Sequence, residues 1–260
     1  MRTNAVKRKI LQGQVAWGTW ITSASYHVTR ALLPLGFDWL TIDMEHAAVD
    51  WSDVARLVGA IADNNVVPFI RIPEGTPFHL KRALDTGAFG IIVPMVETPE
   101  EAQRIVRGTR FPPDGDRSAG GTLHFLHWAA TLEEYLAQAN QEIMLVLQIE
   151  SPRGVQNSPA IASVIGCDAL LVGPLDLETR LRAESPGSEI TRAFAEHVQQ
   201  VIIAGQRFGR VTGIHARSPE EAQFWARQGM RLIAVGTDIT MLAERAREYI
   251  AALSNSLPAG

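Results

Sequence analysis

Residues 144–150 read MLVLQIE, an apolar run that closes on two polar side chains, Gln148 and Glu150. A continuous run of this kind suits a strand covered on both faces in a parallel sheet, where a half-exposed strand would alternate. Gln148 and Glu150 are two apart, so on a strand both point to one face. In so apolar a run, two polar residues on one face need a polar centre to look into. The plainer alternative is that Glu150 pairs with an arginine at the mouth of the sheet.

Runs of the same character recur on both sides. The candidate strands are Val15–Trp20, Asp38–Asp43, Val66–Arg71, Gly90–Met95, Ile143–Glu150, Asp168–Gly173, Val211–His215 and Arg231–Gly236. Helical periodicity fills the intervals, as in Trp51–Asn65, Pro77–Gly87, Pro99–Arg107, Glu189–Phe208 and Pro219–Gly229. Thr98-Pro99-Glu100-Glu101 and Ser218-Pro219-Glu220-Glu221 each give an N-cap residue, proline at the first helical position and acids in the first turn. Gly87 and Gly229 follow helical runs where a left-handed C-cap is expected. Eight strands alternating with helices predict an α/β fold of the (β/α)8 TIM-barrel type, with an open doubly wound sheet as the competing arrangement.

A chain of 260 residues, 46% hydrophobic and 20% charged, suits one such barrel, and no low-complexity linker divides it, so residues 1–260 read as a single domain. The net charge of −4 offers no electrostatic footprint for nucleic acid or an anionic membrane. No apolar stretch is long enough to span a bilayer, and MRTNAVKRKILQGQ lacks the apolar middle of a signal peptide. The single cysteine, Cys167, suits a reducing compartment, so a cytoplasmic location is expected.

In a barrel of this class, chemistry gathers at the C-terminal strand ends. There the sequence puts Glu45 and His46 after strand two, Arg71 after three, Gln148 and Glu150 on five, and Asp176 after six. His215 and Arg217 follow strand seven and Asp238 follows eight. Glu150 and Asp176, from adjacent strands with no cysteine or histidine beside them, make an oxygen-rich pair. Such a pair suits a hard octahedral cation such as Mg2+ or Mn2+, with Co2+ as a further candidate. The lysines are Lys7, Lys9 and Lys81 only; two lie in the N-terminal segment and one midway through a helix, so imine catalysis has no lysine inside the barrel. Cys167 precedes strand six and so lies at the wrong rim for a nucleophile. The segment Arg110–Asn140 is too long for an ordinary connection and reads as an ordered flap or a subunit contact.

GFDWLTIDMEHAAVDW, VPFIRIPE, RALDTGAFGIIVPMVETPEEA, LQIESPRGV, DALLVGPLDL and VGTDITML, in this order, resemble the HpcH/HpaI aldolase family, from about Val15 to Leu242. That family comprises metal-dependent (class II) aldolases of 4-hydroxy-2-oxo acids and 2-keto-3-deoxy sugar acids. The resemblance implies that Glu150 and Asp176 ligate a divalent metal, that Arg71 stabilises a pyruvate enolate, and that His46 is the general base, oriented by Asp85. It also implies that Gln148 holds a metal-bound water or a substrate oxygen. The turn of Gly173, Pro174 and Leu175 would then receive the pyruvate carboxylate. The expected substrates are pyruvate and an aldehyde. A homo-oligomer, a hexamer, is expected, in which the C-terminal segment Ile239–Leu253 is exchanged between subunits or, alternatively, closes its own barrel.

Each role has a plainer counterpart: a salt-bridged loop residue for His46, a surface acid for Asp85, a neutralising partner for Arg71. His124, His127 and His215 are not carried by the resemblance and read as structural. Two stretches depart from the family pattern. DLETRLRAESPGSE carries Glu178 where many relatives have a serine, and FPPDGDRSAGG has Ser118 where a glycine is usual after the arginine. Both are expected near the pocket mouth, which leaves the aldehyde open. Oxaloacetate decarboxylation or another pyruvate-enolate lyase reaction on the same site is the alternative activity. A barrel kept as a non-catalytic binding component is the second.

Overall fold

A computed structural model describes residues 1–184 and 189–254. Eight parallel strands pair in chain order and close on themselves. They are β1 (Ala16–Ile21), β2 (Trp39–Asp43), β3 (Val67–Arg71), β4 (Gly90–Val93), β5 (Met144–Ile149), β6 (Ala169–Val172), β7 (Val211–Ala216) and β8 (Leu232–Thr237). Each sequence-predicted strand contains one of them or differs by a residue or two at its ends. The register that pairs Trp20 of β1 with Thr237 of β8 closes the ring through a β-bulge. Every residue of β2, β4, β5 and β6 is buried, which is why these strands read as continuous apolar runs.

The helices between the strands start where their caps say. Thr98 and Glu101 complete a reciprocal capping box ahead of Pro99–Thr109, and the Ser218 hydroxyl accepts from the Glu221 N–H ahead of Pro219–Arg227. Gly87 (φ 93°) and Gly229 (φ 104°) take the left-handed conformation that stops a helix at low steric cost.

The direction of each helix decides which rim a connection serves. Helices run back against the strands, so helix-to-strand connections lie at the N-terminal rim. The segment after Pro99–Thr109 is one of these, and it folds into the helices Leu123–His127 and Leu132–Glu142. Trp128 stacks on Phe89 with ring centroids 3.5 Å apart, and the Arg2 N–H donates to the Trp128 carbonyl at 2.7 Å. Buried Arg110 donates to the carbonyls of Ile143 and Gly166, each at 3.0 Å, and pairs with Asp168 at 3.1 Å. In this protomer the segment therefore seals the base of the barrel. The expectation that its FPPDGDRSAGG stretch borders the pocket mouth is corrected by this placement. Residues 185–188, within the other departing stretch, lie outside the described residues. Among the described residues no helix is long and apolar enough to cross a membrane.

Candidate active site

The C-terminal strand ends enclose a cavity of about 360 Å3, lined by Trp20, His46, Arg71, Gln148, Glu150 and Gly173 through Asp176, with residues of β7, β8 and the last helix. Five of the sequence-predicted functional positions, His46, Arg71, Gln148, Glu150 and Asp176, thus share one chamber with the Gly173–Leu175 turn.

Glu150 stands one residue past β5 and is 2% exposed. Its Oε1 accepts the Met95 N–H at 2.8 Å, and its Oε2 accepts the Gln148 side-chain amide. Met95 adopts φ 55°, a left-handed conformation that costs a non-glycine residue roughly 1 kcal/mol or more. That strain is spent aiming its N–H at the carboxylate. Burial pushes the Glu150 carboxyl above the ordinary carboxylate range; the Gln148 and Met95 hydrogen bonds pull it down and the nearby Asp176 pushes it further up. Gly173 makes room for this arrangement: a Cβ there would fall 2.2 Å from Glu150 Oε2 and 2.9 Å from Gln148 Nε2.

The side-chain oxygen of Gln148 is buried with no hydrogen-bond partner from the protein. An orphaned amide oxygen costs about 1–3 kcal/mol unless something meets it. With Glu150 and Asp176 it completes a set of oxygen donors on one wall. Among the described residues no three or more His, Cys, Asp or Glu gather as a metal cluster. The donor set is therefore two carboxylates plus neutral oxygens, which fits a hard cation that keeps positions for water and substrate.

Across the chamber Arg71 ends β3 with its side chain 11% exposed. Its Nε and Nη2 form a fork on Asp43 at 2.9 and 2.6 Å, Nη1 pairs with Glu45 at 3.1 Å, and the guanidinium lies 4.2 Å over the Trp20 ring. Three of its five N–H groups make no hydrogen bond within the protein. Glu45 is also pushed up, first by burial, with Arg71 opposing. Asp43 and Trp20 were given no role from the sequence. Asp43 lay inside the quoted IDMEH stretch, and the available signal was a carboxylate ending an otherwise apolar buried strand.

His46 lies on the loop after β2, its side chain 62% exposed and its Nε2 3.8 Å from Glu45 Oε2. Asp85 does not join it within this chain. It ends the helix Pro77–Asp85, at the N-terminal rim, and pairs with Arg117 at 3.1 Å. Within this chain no contact joins Asp85 to His46; the residue beside the imidazole is Glu45. His215 and His124 are each held by neighbouring groups. His215 is held by the Gly236 carbonyl at 2.8 Å under the Trp20 ring, and burial lowers its pKa. His124 packs on Tyr135 at the opposite rim. Asp238 accepts four hydrogen bonds from Thr22 and Ser23 and ties the end of β8 to the loop after β1.

Two exclusions hold. Lys7 and Lys9 pair with Asp168 and Asp38 at the N-terminal rim and Lys81 is exposed on its helix, so no lysine reaches the cavity. Cys167 is buried before β6, and burial pushes its thiol up to about 12.

The hydroxypyruvate/pyruvate aldolase of Roseovarius nubinhibens is 33% identical over 96% of this chain and 96% of its own length. The 5-keto-4-deoxy-D-glucarate aldolase of Salmonella paratyphi A is 35% identical over 91% of both. The crystal structure of an aldolase/citrate lyase family protein from Burkholderia cenocepacia superposes with a TM-score of 0.88 at 34% identity, covering 97% of this chain and 100% of that one. Residues 16–244 match the HpcH/HpaI aldolase/citrate lyase family, and the chain belongs to it.

Proposed function

We propose that the protein is a class II pyruvate aldolase, which reversibly cleaves a 4-hydroxy-2-oxo acid to pyruvate and an aldehyde. The observation that carries this reading is the buried Glu150–Gln148 pair, with its orphaned amide oxygen, in one cavity with Asp176, Arg71 and His46. Its aldolase relatives support the reaction class.

Glu150 and Asp176 would hold the divalent cation, Mg2+ or Mn2+ with Co2+ as a third candidate, which supplies Lewis-acid polarisation of the 2-oxo acid's oxygens. The helix Pro174–Glu184 starts at the cavity, and the N–H groups of Leu175 and Asp176 in its first turn receive the substrate carboxylate. Gln148 holds a substrate oxygen or a water. His46 takes the proton of the 4-hydroxyl. The bond between C3 and C4 breaks, the aldehyde leaves, and its electron pair stays on the pyruvate fragment as an enolate. The N–H groups that Arg71 leaves free meet the negative oxygen, while Asp43 and Glu45 fix the guanidinium beforehand. A proton delivered to C3 completes pyruvate.

The enzyme is read as cytoplasmic and homo-oligomeric, with a hexamer as the expected assembly. The exposed apolar stripe on the helix Asp238–Ser254 supports association, since only Asp238 in that helix is buried.

The test is turnover of pyruvate with a panel of aldehydes, in Mg2+ or Mn2+ against chelator, with product analysis. Glu150→Ala and Asp176→Ala are expected to abolish metal-dependent turnover. Full activity of Glu150→Ala in chelator would sink the reading.

A further inference from the structure

The cavity wall that the pyruvate chemistry leaves unused is formed by Glu178, Arg217, Thr237, Thr240 and Glu244. Arg217 is already engaged. Its Nη2 and Nη1 reach Glu178 at 2.6 and 3.4 Å, and its Nε stands 3.4 Å from Glu221, which also accepts the Arg217 backbone N–H at 2.7 Å. The other arginine in the wall, Arg71, is held by Asp43 and Glu45. Glu244 has no cationic partner among the described residues. Thr240 and Thr237 exchange hydrogen bonds beside it and present hydroxyl groups. His215 is kept neutral by burial, and its Nε2 is occupied by Gly236.

A second carboxylate entering this region meets Glu178 and Glu244 and finds no arginine in the wall without an acid of its own. A hydroxyl group finds carboxylate acceptors, which form the stronger, charge-assisted hydrogen bonds. We propose that this region selects an uncharged, hydroxylated aldehyde over one that carries a carboxylate, with Glu178 and Glu244 as the specificity-determining residues. The inference rests on the pyruvate-aldolase reading above. In the addition direction C3 of the enolate bonds to the aldehyde carbon, and the aldehyde oxygen takes a proton from His46. The distal substituent of the aldehyde then lies against the two glutamates.

Glyceraldehyde and 2-hydroxy-3-oxopropanoate differ only in a hydroxymethyl group against a carboxylate, so they isolate this choice. The experiment measures kcat/KM for each with pyruvate and Mn2+, beside hydrogen–deuterium exchange at the pyruvate methyl group without aldehyde. Exchange should proceed, and glyceraldehyde should be preferred by at least about tenfold, because like-charge juxtaposition is costly. Glu178→Gln and Glu244→Gln should each move the ratio toward the acidic aldehyde by about threefold or more. Each ratio is taken within one protein, so a general loss of activity cancels. Should Glu178→Gln fail to fold, Glu244→Gln, on an exposed helical position, decides the matter. Exchange with an equal or reversed preference, or with an unmoved ratio in the variants, overturns the inference and spares the aldolase. Absence of both exchange and addition overturns both.

Discussion

Arg71 is fixed by Asp43 before any substrate arrives: two parallel hydrogen bonds of 2.9 and 2.6 Å join the last residues of β3 and β2, which are also register partners. Asp43→Ala would leave the guanidinium with Glu45 alone and free it to turn toward Glu150. Breaking a buried pair from one side costs about 3 kcal/mol. A charge displaced from the reacting oxygen by an ångström lowers kcat by about a hundredfold. Urea unfolding and steady-state kinetics together check this; wild-type kcat in a destabilised Asp43→Ala protein would show that Arg71 needs no such partner.

Gly173→Ala tests the wall opposite. The new Cβ would fall 2.2 Å from Glu150 Oε2, so the carboxylate must leave the position that the Met95 N–H and the Gln148 amide define. The expected result is a folded protein whose affinity for Mn2+ falls by about 10–100-fold, the usual consequence of misplacing a ligand's support. Calorimetric titration reads it directly. Undiminished affinity would remove Glu150 from the ligand set.

The strands were legible because strands buried on both faces leave continuous apolar runs, and GIIV and MLVLQI needed no further signal. The helix starts were legible because Thr98 and Ser218 must satisfy free backbone N–H groups. That Gln148 and Glu150 share a face followed from strand periodicity alone; their hydrogen bond did not. Within one chain Asp85 ends a helix that runs back toward the N-terminal rim, away from His46. The 110–140 segment follows such a helix as well, so the same alternation assigns it to the base of the barrel. Met95 left no trace, since nothing about methionine announces a positive φ. The choice between Asp43 and Glu45 as the main partner of Arg71 is likewise invisible to spacing, because both follow within two residues of one strand end.

Metal-free protein should lose stability as the pH rises, through Glu150. Its folded-state pKa is raised by burial, with Asp176 adding to the effect, above its ordinary value of 4.5. The folded state therefore binds the proton more tightly than the unfolded chain does. This contribution is full below pH 4.5 and disappears as the pH climbs through the raised value. Glu45 is raised as well, so the comparison is with Glu150→Gln, which keeps Glu45 and cannot ionise at position 150. In chelator, the stability of wild type relative to Glu150→Gln should fall as the pH rises above 4.5. Saturating Mg2+ should restore it at the alkaline end, because a bound cation favours the ionised carboxylate. A pH-independent difference in urea midpoints would mean that the carboxyl group is not penalised for its charge.

The C-terminal helix Asp238–Ser254 carries Ile239, Leu242, Tyr249 and Ile250 on one side, at the spacing that makes a single helical stripe, and all four are at least 44% exposed. A helix that closed its own barrel would bury that stripe; here only Asp238 is buried. Glu244 belongs to the opposite side and lines the cavity, so this helix links the stripe to the mouth of the active site. An exposed apolar stripe of this length marks a surface for another chain to cover. Multi-angle light scattering should return a mass several times 28.5 kDa for the wild type. Leu242→Glu combined with Ile250→Glu should reduce it toward that of one chain, because charged side chains would have to be buried without partners. Wild type running at 28.5 kDa, or a double variant of unchanged mass, would show that the stripe is not the contact.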